Sequence, residues 1–274
     1  MYIIEESTFR KIELPDIIYK YRSFVDEKER RMLTNNEVYL ANPDEFIKKG
    51  SKDCDCDFDV KYKEYSDEEL FKFYSNSKSM STEEAKKWVS KSPYKDTLKR
   101  QTLEKSLKKG INECLGIFCA SNTWRNNELW DSLFGDHGKG FCVGFNTEKL
   151  IRHIGFMGGG DLFYHEVDNK PILTCDPINN MKIDKKEVHA FIMSLPNNFD
   201  GEKEYRLYKQ SQIDMHLQKQ YHLPDGIIEE VIFGECFDIE NNKEIIQQLI
   251  EKGIKVYQVK YDFTGDRLIK LKIF

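Results

Sequence analysis

The stretch GIFCASNTWRNNELWDSLFGDHGKGFCVGF, residues 116–145, decides how the chain is read. Its two ends are rich in aromatic and β-branched residues and read as strands. Between them lie Trp124 and Trp130, a Ser121-Asn122-Thr123 run and a glycine loop, GDHGKG, around Asp136 and His137. A plain core hairpin does not need so many polar and aromatic groups, although a tight connection before GFCVGF explains GDHGKG equally well. A cleft for a flat, nucleotide-like ligand would use all of them, since indole rings stack and glycine lets backbone approach a ligand closely.

Working outward, the same strand signal recurs in IIYKYRS (17–23), EVYLANP (37–43), DLFYHEV (161–167), KEYRLY (203–208), EEVIFG (229–234), KVYQVKY (255–261) and LIKLKIF (268–274). DEKERRMLTNN (26–36) reads as one or two helical turns. NNKEIIQQLIEKG (241–253) reads as a helix whose Ile245, Ile246, Leu249 and Ile250 share a face and which Gly253 stops. Residues 66–113 differ in character. Ser66 with Glu69, and Ser81 with Glu84, fit capping boxes, and the segment predicts helices. The pattern predicts a single α+β domain over 1–274 with a mostly antiparallel sheet and a helical insert at 66–113.

Composition narrows the class. With 39% hydrophobic residues the chain is too apolar for disorder, and a net charge of −5, from 42 basic and 47 acidic residues, gives no global pull toward nucleic acid. The N-terminus lacks a basic start with a long apolar run, and no stretch is apolar enough to span a bilayer. Seven cysteines, an odd number, include no C-x-x-C pair. The expected setting is cytoplasmic, with no membrane partner and no metal centre. Asp53, Asp55, Asp57, Asp59 and Glu64 fall at calcium-loop spacing, but Phe58 stands where the loop requires glycine, so a fortuitous acidic loop is the reading there.

Two further clusters carry chemistry. If 17–23 is a strand, Tyr19, Tyr21 and Ser23 share one face and Lys20 and Arg22 the other, where Arg22 offers a fork for phosphate. The plainer reading is a tyrosine core face with a wet basic face. Glu202 and Glu204, two apart, would face the same way on a strand. Paired carboxylates suit reactions through an oxocarbenium ion, which one acid stabilises while the other acts as base. The plainer reading is an exposed edge strand with Lys203 and Arg206 alongside.

YKYRS, NNEVYLANPDEF, the 116–145 stretch, EKEYRLY and IEEVIFG, in that order, resemble the bacterial proteins catalogued as domain of unknown function 2971. In place of an Asn-Asp-Pro-Phe-type element after the second strand, this chain has FIKKGSKDCDCDFD. More distantly, a strand-borne cation, a Ser/Thr strand end and Glu-x-Glu resemble the signature of arginine-type ADP-ribosyltransferases, which hold NAD in the cleft of a split, mostly antiparallel sheet. That resemblance implies a transferase or NAD glycohydrolase with NAD as substrate. Arg22 would bind the phosphates, with Tyr21 beside it. Ser121 would order the site, with Thr123 near it. Glu204 would contact the ribose and stabilise the oxocarbenium, Glu202 would position the acceptor, and Trp124 or Trp130 would flank the nicotinamide.

A second function class stays open: a non-catalytic module of a bacterial defence or stress system that recognises a nucleotide or nucleic acid. Lys86 to Lys109 holds nine basic residues against Asp96 and Glu104. This is either a solvated helix face or a contact for a protein or nucleic-acid acceptor.

Overall fold

The computed structural model describes residues 14–48, 58–77, 80–132, 135–165, 171–178, 182–183, 185–196, 201–211 and 217–273. Its centre is an eight-stranded sheet. The strands, numbered in chain order, are β1 (Ile17–Arg22), β2 (Leu115–Ser121), β3 (Phe141–Asn146), β4 (Gly158–Asp161), β5 (Glu204–Gln210), β6 (Ile228–Phe233), β7 (Lys255–Asp262) and β8 (Arg267–Lys272). Across the sheet they run β8-β7-β6-β3-β1-β2-β5-β4. Each neighbouring pair is antiparallel except β6 with β7, which the helix Lys243–Glu251 joins as a parallel crossover. The fold is therefore mixed α/β with a mostly antiparallel sheet.

Each face of the sheet is covered, which is why its central strands are apolar on both sides. Ile18, Phe118, Val143, Phe145, Leu207, Val231 and Phe233 line one face and pack with Met32 and Leu33 of helix Glu27–Thr34. Leu150 and Ile154 of helix Thr147–Ile154, and Ile246 and Leu249 of helix Lys243–Glu251, complete that core. The second helix starts at the Asn146 cap and ends at Gly155 (φ 73°), while Gly253 (φ 77°) ends the third; a left-handed stop of this kind suits glycine. The opposite face carries two clusters. One surrounds Leu115, Ile117 and Tyr208 with Leu107 and Ile111 of helix Thr97–Cys114 and Phe191 and Ile192 of helix Lys185–Ile192. The other gathers Tyr19, Tyr21, Trp124, Trp130, Cys142, Ile232 and Val259.

β1 is held unequally by its neighbours. It pairs with β3 over all six of its residues, yet with β2 only at Tyr19 opposite Ser121. Nearer the start of β2, Ala41 takes the place beside it and exchanges two backbone hydrogen bonds with Ile117, of 2.8 and 2.9 Å. The sheet thus has a gap between β1 and β2 on the Arg22 side of Tyr19.

The 66–113 segment forms helices Asp67–Ser77, Thr82–Ser90 and Thr97–Cys114. Both expected capping boxes form: the Ser66 amide donates to Glu69 at 2.9 Å and the Ser81 amide to Glu84 at 3.0 Å, with reciprocal bonds of 3.2 and 3.3 Å. The first two helices share their own small core of Leu70, Tyr74, Ala85 and Val89. The third lies against the strand Asp59–Tyr62, whose Tyr62 amide donates to Glu104, and so belongs to the body of the protein. The expected strand at 161–167 divides: β4 ends at Asp161, and Phe163–His165 pairs instead with Ser194–Pro196; residues 166 and 167 lie outside the described residues. Among the described residues no helix is long and apolar enough to cross a membrane.

Gly144 of β3 lets the Tyr19 ring lie flat across its neighbour. A Cβ there would stand 2.9 Å from Glu230 and 3.0 Å from the Tyr19 ring. Gly144→Ala should destabilise the fold by about 1–3 kcal/mol without changing the denaturant slope, as measured by urea unfolding.

Candidate functional site

The register brings together three segments that are far apart in the chain. Glu230 (β6), Gly144 (β3), Tyr19 (β1), Ser121 (β2) and Glu204 (β5) stand opposite one another in a single row. Directly opposed residues point to the same side, so Tyr19, Ser121 and Glu204 share one face. Ser121 is 1% exposed. Its hydroxyl accepts the Thr123 amide at 3.3 Å and donates toward the Lys203 carbonyl at 3.3 Å. Asn126 caps the short helix Asn127–Asp131 and sends its side-chain amide to the carbonyls of Gly201 and Glu202, at 2.8 and 3.2 Å. These bonds splice the end of β2 to the turn that opens β5.

The carboxylate pair differs from the sequence expectation. β5 begins at Glu204, and Lys203 before it has φ 47°. The left-handed residue breaks the two-residue alternation, so Glu202 sits half-buried in the preceding turn rather than beside Glu204 on the strand. Nor is β5 an exposed edge strand, since β2 and β4 flank it. Glu204 is buried, and Arg206 is fully so. Arg206 holds both Glu204 oxygens, with Nε at 2.8 Å and Nη2 at 3.0 Å, and its Nη1 donates to the Ile192 carbonyl at 2.7 Å. The strand therefore has a salt bridge inside the protein, anchored to the end of helix Lys185–Ile192. Tyr208, two residues on, meets His189 of the same helix at 3.1 Å, and burial lowers the His189 pKa.

The tryptophans are packed rather than open. Trp124 and Trp130 are 8% and 4% exposed, and the Trp130 indole N–H donates to the Trp124 carbonyl at 3.0 Å. Tyr21 meets Trp130 edge-on at 5.0 Å between centroids and donates its hydroxyl to the Thr123 carbonyl at 3.1 Å. Burial holds the Tyr21 phenol well above its ordinary pKa. Trp124 has cations nearby: Lys270 at 5.3 Å and the Arg125 guanidinium at 4.8 Å. Lys270 also bonds both oxygens of buried Glu230 at 2.7 Å, and Tyr19 donates to the same carboxylate at 3.0 Å. GDHGKG is a tight left-handed loop, with Asp136, His137 and Gly138 at φ 51°, 50° and 77°.

Arg22 lies on the other face of β1, the side of Lys20 and not the side of Ser121 and Glu204. The grouping of Arg22 with Ser121 and Glu204 around one groove is thus not what the alternation of β1 produces. Arg22 Nε stands 3.8 Å from Glu29, and Nη1 donates to the Tyr21 carbonyl. Lys20 is 6% exposed, donates to the Cys119 carbonyl across the gap, and lies 4.4 Å from the centre of the Phe118 ring. Burial first, and then Arg22, lower its pKa to about 7.

The basic stretch is largely balanced locally. Lys86, Lys95, Lys99, Arg100 and Lys109 each pair with a carboxylate, and Lys108 lies over Phe58. In the acidic segment Asp53, Asp55 and Asp57 lie outside the described residues. Asp59 opens a strand, Phe58 stacks on Phe191 at 4.3 Å, and Glu64 reaches Arg100 at 3.5 Å. Among the described residues no three His, Cys, Asp or Glu side chains cluster as metal ligands.

Sequence reasoning named Arg206 only as a neighbour on an exposed edge strand, and passed over Asn126, Glu230 and Lys270. The Glu204-x-Arg206 spacing on a strand was the available signal for the first. The others depend on contacts across 75 to 211 residues of chain, or 40 for Glu230 with Lys270. Comparison with family models, with curated proteins and with solved structures finds no match to the chain.

Two expectations follow from the buried charges. Arg206→Met should cost about 3–5 kcal/mol by leaving Glu204 unpaired, while the double change Glu204→Leu with Arg206→Met should cost much less; urea unfolding of the three variants reads this. Above about pH 7 Lys20 is neutral in the fold, whereas the unfolded chain holds its proton up to about pH 10. Its folded pKa is depressed, so its penalty is full below pH 7 and is relieved as pH rises. The stability advantage of Lys20→Met over wild type should therefore shrink by about 1.4 kcal/mol per pH unit between pH 7.5 and 9.5.

Proposed function

We propose that this chain is an NAD-consuming protein of the ADP-ribosyltransferase type, a transferase or NAD glycohydrolase of a bacterial defence or stress system acting in the cytoplasm. The observation that carries the reading is the row Tyr19–Ser121–Glu204: three short motifs, separated by about a hundred and then eighty residues, stand side by side on one face. The partial parting of β1 from β2 agrees with a split sheet. In this reading the ribose lies over Ser121 and Glu204. The bond from C1′ to the nicotinamide nitrogen breaks, nicotinamide leaves with the electron pair, and water or an acceptor nucleophile attacks C1′. A carboxylate has about four lone-pair sites, so Glu204 can accept a ribose hydroxyl while Arg206 holds it. Glu202, in the turn above, positions the acceptor. Trp124 and Trp130 act as a packed wall rather than as stacking platforms, and Arg22 has no part on this face.

A second reading, nucleotide recognition without turnover, draws on the same salt bridge: Arg206 offsets the Glu204 charge that an oxocarbenium ion would need nearby. The two readings separate on labelled NAD. If the first holds, the protein releases nicotinamide, Glu204→Gln lowers release about 100-fold, and Arg22→Ala leaves it unchanged. Binding of NAD in calorimetry with no release supports the second. Neither binding nor release, with cell extract supplied as acceptor, ends both.

A further inference from the structure

The nucleotide reading makes no use of Lys20, yet its surroundings are unusual for a lysine. It is buried, its ammonium end has a single backbone carbonyl as acceptor among the described residues, and the Phe118 ring lies against it. The charged and titratable groups that act on it are Arg22 of the same strand, Cys119 of β2, Glu204 of β5 and Glu29 of helix Glu27–Thr34. The two carboxylates are committed elsewhere: Glu204 to Arg206, and Glu29 to the Ser23 amide at 2.8 Å with Arg22 at 3.8 Å. A lysine that is desolvated and set beside a second cation, with no acid of its own among the described residues, is the arrangement that frees an amine lone pair at neutral pH. With its pKa lowered to about 7, Lys20 carries that lone pair in a sizeable share of molecules at neutral pH, against roughly one in a few thousand for a solvent-exposed lysine.

Arg22 supplies the second half of a site. It projects from the same strand face two residues on, about 7 Å away along the strand. Its guanidinium is partly exposed and only loosely paired, so its fork can accept a carboxylate. The two groups flank the gap where β1 and β2 share only the Tyr19–Ser121 pair. An amine and a guanidinium carried side by side on one strand face suit a small molecule with a carbonyl next to a carboxylate.

We propose that Lys20 captures small 2-oxo acids covalently, as an imine, with Arg22 holding the carboxylate. The Nζ lone pair attacks the carbonyl carbon to give a carbinolamine. Loss of the former carbonyl oxygen as water, together with the two amine hydrogens, forms the C=N bond. No oxidant or reductant is needed. Uptake of one proton from solvent at the imine nitrogen gives the iminium, which lies against the Phe118 ring face where Lys20 already sits.

The test uses the full chain with glyoxylate and cyanoborohydride, which reduces an imine to a stable carboxymethyl-lysine, followed by mass mapping of the peptides. At pH 7 Lys20 should label about tenfold faster than exposed Lys87 and Lys255. Its rate should level off above about pH 7.5 while theirs keep climbing. Lys20→Arg should lose this adduct and no other. Arg22→Gln, shown by cooperative urea unfolding to be folded, should slow labelling by glyoxylate but not by acetaldehyde. Lys20 labelling in the wild type no faster than at Lys87 and Lys255 overturns the proposal. Equal loss of glyoxylate and acetaldehyde labelling in Arg22→Gln, or loss of neither, overturns its 2-oxo-acid class. Nicotinamide release is measured on the same sample, and its presence or absence bears only on the NAD reading.

Discussion

The salt bridge between Glu204 and Arg206 organises the half of the sheet that holds the candidate site. An arginine with no exposed surface has lost its hydration, and only well-formed hydrogen bonds offset that loss. Arg206 places its donors on both oxygens of Glu204 and on the carbonyl that ends helix Lys185–Ile192. The helix must therefore sit over β5 in one position, and β5 must keep its register against β2. A slip of one residue would turn Glu204 and Arg206 into the apolar face that Tyr205 and Leu207 occupy. The bridge adds little net stability against an apolar pair of the same size. Its effect is on specificity, because a one-residue slip carries the pair together into the apolar face and away from the Ile192 carbonyl that takes the third donor.

The same constraint shapes what the candidate site can do. Fixed register across β1, β2 and β5 is what aligns Tyr19, Ser121 and Glu204. It also assigns Arg22 and Lys20 to the reverse face, where the ladder between β1 and β2 is nearly absent. The two faces of one strand thus differ in chemistry. One has a hydroxyl, a paired carboxylate and packed aromatic rings. The other has two cations with little negative charge to balance them.

Aromatic residues link these parts. Trp124 has the cations of Arg125 and Lys270 at its ring, and Lys270 is bound to Glu230, which also receives the Tyr19 hydroxyl. The terminal strand β8, the end of β2 and the centre of β1 are joined through this cluster. Tyr19 reaches Glu230 only because Gly144 between them has no side chain.

Local order was legible in the sequence. Alternation with period two marked the main strands, apart from the glycine-rich β4; the capping boxes marked two helix starts, and Gly253 marked a stop. These signals involve neighbours a few residues apart, and their physics is complete within the segment. The sequence also assigned Tyr19 and Tyr21 to one face of β1 and Lys20 and Arg22 to the other. It could not say which of those faces Ser121 and Glu204 would share. That depends on pairing between strands a hundred residues apart, where one residue of register reverses the answer. Likewise Glu204 beside Arg206 reads as surface until the strands on either side and the helix above remove water from both. By itself the sequence determined most strands of the central sheet, the helices within 66–113 and the helix Lys243–Glu251, but it did not mark helices Thr147–Ile154 and Lys185–Ile192 or the strand Asp59–Tyr62. Only the tertiary structure decided which side chains meet and which charges are buried, because partner choice and desolvation arise when distant segments pack.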